Sequence, residues 1–312
     1  GVPSFETAYT SSPYSNQPIE SVVSITNNLG YNTSFFHGAS NGSMGFLGFS
    51  KTLGFDNYYG KDEYNNDIDF DGYWGIWDEP FLQFTKKILD KKSEPFLSTV
   101  FTVTSHDPYI IPKKYEGFFD KGFVPMHQVV GYTDFALKKF FNEAENEPWF
   151  DNTIFIFTAD HGNQTHYPYY EKIINRFANP LMIYWPKKKL KGVSSVLGQH
   201  MDIFPTVADL IGYDKPFRSW GKSLVSEDKN DSFVVNFFGG GNYFMMNDEY
   251  IIVSNGANIK GVYNSNDRDL ENNIIDNSNK KMEELSLKFK MFIQDYMNRI
   301  VDGNMFYDTG DE

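Results

Sequence analysis

A chain of 312 residues, of which 40% are hydrophobic and 18% aromatic, can bury a substantial core and is not a disordered chain. Its net charge of −13, from 41 acidic and 28 basic residues, argues against nucleic acid or an anionic membrane surface as the main partner, because both need a concentrated basic surface. The lack of cysteine excludes disulfides, thiolate metal sites and a cysteine nucleophile, and no apolar run reaches the roughly 18 residues of a membrane span.

The first two thirds of the chain alternate between predicted helices and strands. In chain order these are helix 19–30, strand 31–38, helix 80–92, strand 96–109, helix 127–145, strand 154–158, strand 179–186 and helix 199–213. Gly30 is placed to end the first helix, and Pro80 suits the first position of the second. Such alternation is typical of an α/β fold with a mostly parallel central sheet flanked by helices.

The pattern changes after about residue 228. Short apolar segments are separated there by Gly and Asn turns, which predicts an antiparallel meander, and residues 280–301 form a long amphipathic helix pattern. We therefore predict an α/β catalytic core over residues 1–227 and a small C-terminal subdomain, an antiparallel sheet plus helix, over residues 228–312.

Three of the six histidines fall at the carboxyl ends of separate predicted strands. They are His37, His106 and His161. The carboxyl ends of parallel strands meet at one edge of a sheet, where ligand sites of open α/β sheets form. A single histidine in such a position is as well explained by a structural hydrogen bond, but three in parallel positions favour a functional site in one crevice.

Asp160 and His161 stand side by side directly after an apolar strand. They offer one hard oxygen and one imidazole nitrogen, a mixture that suits Mn²⁺, Zn²⁺ or Mg²⁺ better than Ca²⁺. A cation there would neutralise charge on a phosphoryl or sulfuryl oxygen and lower the pKa of a coordinated hydroxyl. His106 could then bind the anion or protonate a leaving group.

The remaining histidines have weaker cases. His200 and Asp202 at the start of the last predicted helix could face the same crevice, although a helix cap explains Asp202 almost as well. We predict a structural role for His127, which lies within a helix, whereas His166 lies in a Tyr-rich loop.

Five segments together resemble a known family. They are FFHGASNGSMGF, GYWGIWDEPFL, TVTSHDPY, FTADHG and QHMDIFPTVADLIGY. In this arrangement they resemble the extracytoplasmic catalytic domain of lipoteichoic acid synthase and related phosphoglycerol transferases, of the alkaline phosphatase and sulfatase superfamily. The resemblance covers roughly residues 15–225, and an ordered set of motifs is far more specific than any one of them.

The resemblance implies an α/β core with one divalent metal, commonly Mn²⁺, with Mg²⁺ or Zn²⁺ as alternatives. Asp160 and His161 match two of its ligands, which are completed by an acidic residue and a Thr or Ser nucleophile. That nucleophile attacks the phosphorus of a phosphatidylglycerol-like donor, and an acceptor hydroxyl or water resolves the phospho-enzyme. His106 matches the histidine that contacts the substrate phosphate, and His37 belongs to an element whose following residues line the pocket.

Three features depart from the family pattern. The first metal ligand and the nucleophile lie N-terminal to the part that matches this chain, which also begins at Gly1 without a signal peptide. We therefore expect an N-terminally truncated fragment that is inactive alone. Ser4 and Thr7 carry the nearby hydroxyls that could replace the nucleophile, but no predicted strand precedes them to support that role. His200 stands where the synthases have no histidine but sulfatases and phosphatases often place one, so we predict a contact with the substrate or a second metal.

The third departure concerns the substrate pocket. The synthases carry Trp and Arg after the HG element, where this chain reads NGSMGF, so the bidentate phosphate clamp is missing and we expect Asn41 to donate a hydrogen bond instead. The resemblance also places Trp74 and Trp77 at the pocket with Asp78 near its rim, and we keep Trp77 and Asp78 as predicted site residues. The alternative is that the tryptophans pack between helix and sheet and that Asp78 caps the helix beginning at Pro80.

The sequence thus predicts a metal-dependent phosphoryl-group transferase of the glycerol-phosphate type. We expect a lipid-linked donor, a phospholipid or a phosphate or sulfate ester as substrate, no nucleic acid, and a location on the extracytoplasmic face of a bacterial membrane. The full-length protein would be anchored there through N-terminal helices absent from this chain. The alternatives are a sulfatase or phosphodiesterase on the same scaffold and a catalytically inactive binding module.

Overall fold

The computed structural model describes residues 2–3, 7–188, 191–226, 232–277 and 279–307. The chain forms two compact units, one of residues Leu29–Gly192 and the other of Gly1–Asn28 together with Val193–Glu312. The predicted domain boundary between 227 and 228 lies outside the described residues, so that division stays a prediction.

The described helices and strands alternate along the first two thirds of the chain, as predicted. In chain order they are α1 (Val22–Asn28), β1 (Asn32–His37), α2 (Phe46–Leu53), β2 (Asn57–Tyr59), α3 (Lys61–Tyr64), α4 (Asp78–Leu89), β3 (Phe96–Phe101), α5 (Met126–Ala144), β4 (Phe155–Thr158), α6 (Pro168–Glu171), β5 (Leu181–Tyr184), α7 (Ile203–Leu210), β6 (Val234–Gly239), β7 (Asn242–Met246), β8 (Tyr250–Ser254), β9 (Ile259–Asn264) and α8 (Lys280–Asp302).

The unit of residues 29–192 is built on a parallel sheet of strand order β2-β1-β3. Helices α4 and α5 pack against each other beside this sheet. Their shared core is formed by large apolar side chains, namely Phe36, Ile76, Phe81, Leu82, Leu89, Ala136, Phe140, Ala144, Trp149 and Phe150. Burial of these side chains supplies the main driving force for folding of the unit, and the predicted α/β class is confirmed.

Strands β4 and β5 pair antiparallel in a separate two-stranded sheet. Both strands were predicted, but as parts of a largely parallel sheet. The segment that joins them contains only the four-residue α6 and a short 3-10 turn. Parallel neighbours are usually joined through a full crossover helix, and this fully described connection contains none.

The other unit contains the predicted antiparallel sheet, with strand order β6-β7-β8-β9. Helix α8 packs its apolar face on this sheet through Met282, Leu285 and Phe289. Asn279 caps α8 by accepting a hydrogen bond from the Met282 N–H, and Gly303 ends it with a φ of 68°. No helix in the described part of the chain has both the length and the apolar character needed to cross a membrane.

Candidate functional site

The parallel sheet brings two of the predicted site elements to one edge. His37 is the last residue of β1 and pairs in register with Phe101, the last residue of β3. The turn that carries His106 follows β3 directly. Because the two strands are parallel, His37 and this turn leave the sheet at the same end.

His37 itself is buried, with 3% of its surface exposed. Its Nδ1 lies 3.3 Å from the Phe101 carbonyl oxygen, and its ring packs edge-on against the rings of Phe46 and Phe101. Burial lowers the pKa of His37, and the hydrogen bond to Phe101 opposes this only in part. His37 therefore anchors the end of β1 as a neutral ring, while its contact with substrate stays a prediction.

We expect acidification to destabilise the protein through His37. Its folded-state pKa lies below the usual 6.5, so the unfolded chain binds the proton more tightly. The stability it contributes is present above about pH 6.5 and is lost as the pH falls through the folded-state pKa. Urea unfolding between about pH 8 and about pH 5 should show a smaller loss of unfolding free energy in His37→Phe than in the wild type. Exposed His166, replaced by Phe, is the control, and equal losses in wild type and His37→Phe would contradict this role.

His106 is held from two sides by its neighbours. Its Nδ1 lies 2.6 Å from a carboxylate oxygen of Asp107. The ring packs against Trp74 at a centroid distance of 4.2 Å, and the Trp74 indole N–H donates to the Asp107 carbonyl at 2.5 Å. With 42% of its side chain exposed, His106 is both oriented and open to solvent, which suits a group that contacts a substrate.

Asp78 fixes the turn that carries His106. It is 1% exposed, and its Oδ1 accepts hydrogen bonds from the N–H groups of Val103 at 2.9 Å and Thr104 at 3.1 Å. Its Oδ2 accepts from the Thr133 hydroxyl of α5 at 2.8 Å. Burial raises the pKa of Asp78, and these donors oppose the increase.

These contacts give Asp78 a positioning role. The helix begins at Asp78 rather than at Pro80, and the carboxylate bonds the segment after β3 instead of capping α4. The predicted contact of Asp78 with substrate stays a prediction. Trp77 is half-buried and packs edge-on against Tyr132 at 6.3 Å, which agrees with the packing alternative.

Asn41 is engaged within the loop that follows β1. Its Nδ2 donates to both carboxylate oxygens of Glu63, at 3.1 and 2.9 Å. Its Oδ1 accepts from the Asp62 N–H at 3.4 Å. Asn41 therefore connects this loop to α3, and a donation to substrate, which stays a prediction, would have to compete with Glu63.

Asp160 and His161 follow β4 as an exposed pair, with 56% and 62% of their side chains accessible. His161 Nδ1 lies 2.7 Å from the Gly162 carbonyl oxygen, which accepts only from a protonated nitrogen. In the neutral ring the lone pair is then on Nε2, which lies 3.4 Å from Asp160 Oδ2. Two lone-pair atoms this close repel each other unless a proton or a cation lies between them.

This donor pair fits a divalent metal in chemistry and orientation. The carbonyl bond to Nδ1 is the arrangement that commonly orients metal-binding histidines. Among the described residues, no group of three or more histidine, aspartate or glutamate side chains could hold a metal ion. The pair would supply two of the about four or more ligands that a metal site needs, and its role as metal ligands stays a prediction.

The loop after His161 is tied to the start of α5. Gln164 Oε1 accepts from the Met126 N–H, and the His166 ring stacks on Phe123 at 4.1 Å. His127 Nδ1 accepts from the Phe123 N–H at 3.0 Å, which confirms the structural role predicted for His127. These contacts hold the segment that carries the Asp160–His161 pair.

His200 and Asp202 belong to the other unit, in the 3-10 turn before α7. Asp202 is 2% exposed and accepts from the N–H groups of Gln199 and Lys222. Burial raises the pKa of Asp202. His200 is exposed, and its contact with substrate or a second metal stays a prediction. Thr7 is exposed, and Ser4 lies outside the described residues.

Asp107 was missed as a positioning residue, and Trp74 was expected at the pocket but not as the partner of His106. Asp107 follows His106 directly in sequence, so a His-Asp neighbour pair was the available signal. Trp74 lies 32 residues before His106 in the chain, and only the fold brings the two rings together.

Comparison with known proteins establishes the family of this chain. A family model described as Sulfatase matches residues 2–213. Lipoteichoic acid synthase 1 of Bacillus subtilis strain 168 is 26% identical over 221 residues, 65% of this chain and 34% of that protein. Phosphoglycerol transferase I of Escherichia coli strain 55989 is 28% identical over 224 residues, 67% of this chain and 29% of that protein.

A crystal structure of a protein in the alkaline phosphatase superfamily from Vibrio parahaemolyticus superimposes with a TM-score of 0.78 at 23% identity. The superposition covers 96% of this chain and 73% of the Vibrio protein. This similarity establishes the fold. The two relatives confirm the resemblance predicted from the five motifs. The chain matches only about a third of the length of each.

Proposed function

Because the chain belongs to the sulfatase family, we propose that it is a metal-dependent phosphoryl-group transferase that acts on a lipid-linked glycerol-phosphate donor. Its similarity to proteins named lipoteichoic acid synthase and phosphoglycerol transferase supports this reaction class. The observation that carries the proposal is the exposed Asp160–His161 pair, with Asp160 Oδ2 and His161 Nε2 3.4 Å apart. We place the reaction at the extracytoplasmic face of a bacterial membrane, as the resemblance implies.

Members of this superfamily generally depend on divalent metals. Asp160 and His161 would hold the ion, and Mn²⁺ suits their mixed oxygen and nitrogen donors, as do Mg²⁺ and Zn²⁺. When bound, such an ion supplies Lewis-acid stabilisation of a phosphoryl oxygen. The Gly162 carbonyl keeps His161 in the tautomer that leaves Nε2 able to bind.

His106 is the group of this chain that would act on the phosphate. Asp107 accepts from Nδ1–H and Trp74 restricts the ring, so that in the protonated imidazolium Nε2–H is left to donate a hydrogen bond to a phosphate oxygen or a proton to the leaving oxygen. Asp78 holds the peptide groups of the same turn. A small displacement of this turn would therefore lower the rate without touching the donor pair.

The test measures metal dependence and product type in the longest form of the protein that its gene encodes. After chelation, Mn²⁺, Mg²⁺, Zn²⁺ and Ca²⁺ are added back separately, and cleavage of fluorescent phosphatidylglycerol in vesicles is followed by release of labelled diacylglycerol. We expect Mn²⁺ to restore cleavage best and glycerol phosphate to be transferred to an added acceptor, whose mass increases accordingly.

Other products would redirect the assignment. Free glycerol phosphate as the only water-soluble product would favour the phosphodiesterase, and cleavage of an aryl sulfate ester alone would favour the sulfatase. A folded protein that binds no divalent metal and cleaves neither ester would overturn the enzyme proposal and leave the binding module.

A further inference from the structure

A cleft of about 400 Å³ lies along α4, within the unit of residues 29–192. Its polar lining comes mainly from Glu79, Gln83 and Lys87 of α4 and Lys139 of α5, and its aromatic lining from Tyr64 and Phe84. The three α4 residues are spaced by four and so form one stripe, roughly 12 Å long at 1.5 Å rise per residue. None of the proposed metal or phosphate contacts lies in this cleft.

Gln83 is the unusual member of the lining. Both atoms of its side-chain amide are shielded from solvent, and within the described part of the chain neither has a hydrogen-bond partner. A buried amide without partners is costly, and most native buried polar groups are paired. An amide that can both donate and accept beside an open cleft is suited to the hydroxyl groups of a ligand.

The charges around the cleft favour an anion. Glu79 is 5% exposed and is bonded by Lys114 at 2.8 Å, Lys139 at 2.7 Å and the Tyr115 hydroxyl at 2.9 Å. Burial alone would raise the pKa of Glu79, but these three donors outweigh it and lower the pKa, so Glu79 is ionised and its charge is offset twice. Glu79, Lys114 and Lys139 together therefore carry a net charge of about +1.

Lys87 adds a second positive charge at the far end of the stripe. It is exposed, and within the described residues it has no ion-pair partner. The other carboxylate bonded to lining residues is Asp69, which accepts from the hydroxyl of Tyr64 at 2.5 Å and from Asn66. The groups that line the cleft and their bonded partners thus include three ammonium groups and two carboxylates, a net charge of about +1. Exposed Glu143, one turn from Lys139 on α5, offsets part of this charge.

The aromatic side of the cleft provides an apolar surface. The rings of Tyr64 and Phe84 meet edge to face at 5.4 Å. Both side chains are half-buried, so part of each remains accessible to a ligand. Aromatic walls with a few polar groups opposite them are typical of small-molecule sites, and such walls pack well against the C–H groups of a polyol.

We propose that this cleft is a second binding site, which takes a phosphorylated polyol or sugar. Lys87 binds the phosphate, the Gln83 amide binds hydroxyl groups, and Tyr64 and Phe84 pack against the carbon skeleton. This inference does not depend on the proposed transfer reaction, because it concerns binding at residues that the reaction does not use.

The test is binding of sn-glycerol 1-phosphate and glucose 6-phosphate by isothermal titration calorimetry. Both are compared with glycerol and inorganic phosphate, in the presence of a chelator and in the His161→Ala background, so that the metal site cannot contribute. We expect both phosphorylated polyols to bind more tightly than either fragment, and Lys87→Ala to weaken them by about tenfold, the value of one charge-assisted hydrogen bond. Lys138→Ala, an exposed lysine of α5 outside the cleft, is the matched control.

The Gln83→Leu variant distinguishes a loss of ligand binding from a loss of folding stability. It replaces an unpaired buried amide by an apolar side chain of similar size, so we expect an unchanged or higher melting temperature together with lost polyol binding. Equal affinities of wild type and Lys87→Ala, equal affinities for inorganic phosphate and the phosphorylated polyols, or unchanged binding in Gln83→Leu would each overturn the proposal. A protein that is inactive in the transfer assay could still bind these probes, so the two proposals fail separately.

Discussion

Replacing His161 with alanine is expected to abolish divalent-metal binding and to lower the rate of phosphodiester cleavage by at least about a thousandfold. The substitution removes Nε2, which lies 3.4 Å from Asp160 Oδ2. Of the proposed pair of ligands, only the exposed Asp160 carboxylate then remains, and it binds a metal weakly by itself. Metal per chain is measured by inductively coupled plasma mass spectrometry after dialysis, and cleavage is measured with fluorescent phosphatidylglycerol.

The matched control for this change is His166→Phe. His166 lies in the same loop and is exposed, and phenylalanine keeps the ring that stacks on Phe123. We expect this variant to retain its metal. Asp160→Ala should behave like His161→Ala, and full metal content or undiminished cleavage in both would remove the pair from the site while leaving the family assignment intact.

Replacing Asp78 with alanine is expected to lower the free energy of unfolding by about 3–5 kcal/mol. The change leaves the buried N–H groups of Val103 and Thr104 without an acceptor. It also removes one partner of the Thr133 hydroxyl, which keeps its contact with Ser105 Oγ at 3.0 Å. Urea denaturation measures the loss. In protein that remains folded, phosphodiester cleavage should also fall, because the turn carrying His106 loses its support.

Asparagine at the same position should be much better tolerated. Its oxygen can accept from Val103 and Thr104 while its amide donates to the Thr133 hydroxyl, which can act as an acceptor. We expect a loss of about 1 kcal/mol in Asp78→Asn. The control is Asp134→Ala, which removes an exposed carboxylate next to Thr133 in α5. A loss in Asp78→Ala as small as that of the control would contradict the positioning role.

The strand ends that carry the site residues could be predicted because each depends only on local sequence. An apolar run followed by Asp160 and His161 identifies a strand end, and β4 indeed ends at Thr158. The same holds for His37, the last residue of β1. Strand and helix periodicities involve neighbouring residues only, so they can be read without the fold.

The roles of the same residues were less predictable, because they depend on partners far along the chain. Asp78 was expected at the pocket or as a helix cap, and its actual partners lie 25, 26 and 55 residues away. His37 packs against Phe46 and Phe101, which the sequence did not reveal, and its contact with substrate stays a prediction. The antiparallel pairing of β5 likewise follows from how the connection folds, which apolar periodicity does not report.

The sequence by itself therefore determined the α/β class, the family and the positions of the chemically capable side chains, because strand ends, turn residues and ordered motifs are properties of contiguous segments. Only the tertiary structure decided which of these side chains are accessible. Burial and hydrogen bonding between distant segments enclosed Asp78 and His37, left Asp160, His161 and His106 open to solvent, and isolated the Gln83 amide beside a cleft. The physical reason is that solvation and pairing depend on the whole packed chain, whereas periodicity depends on neighbours.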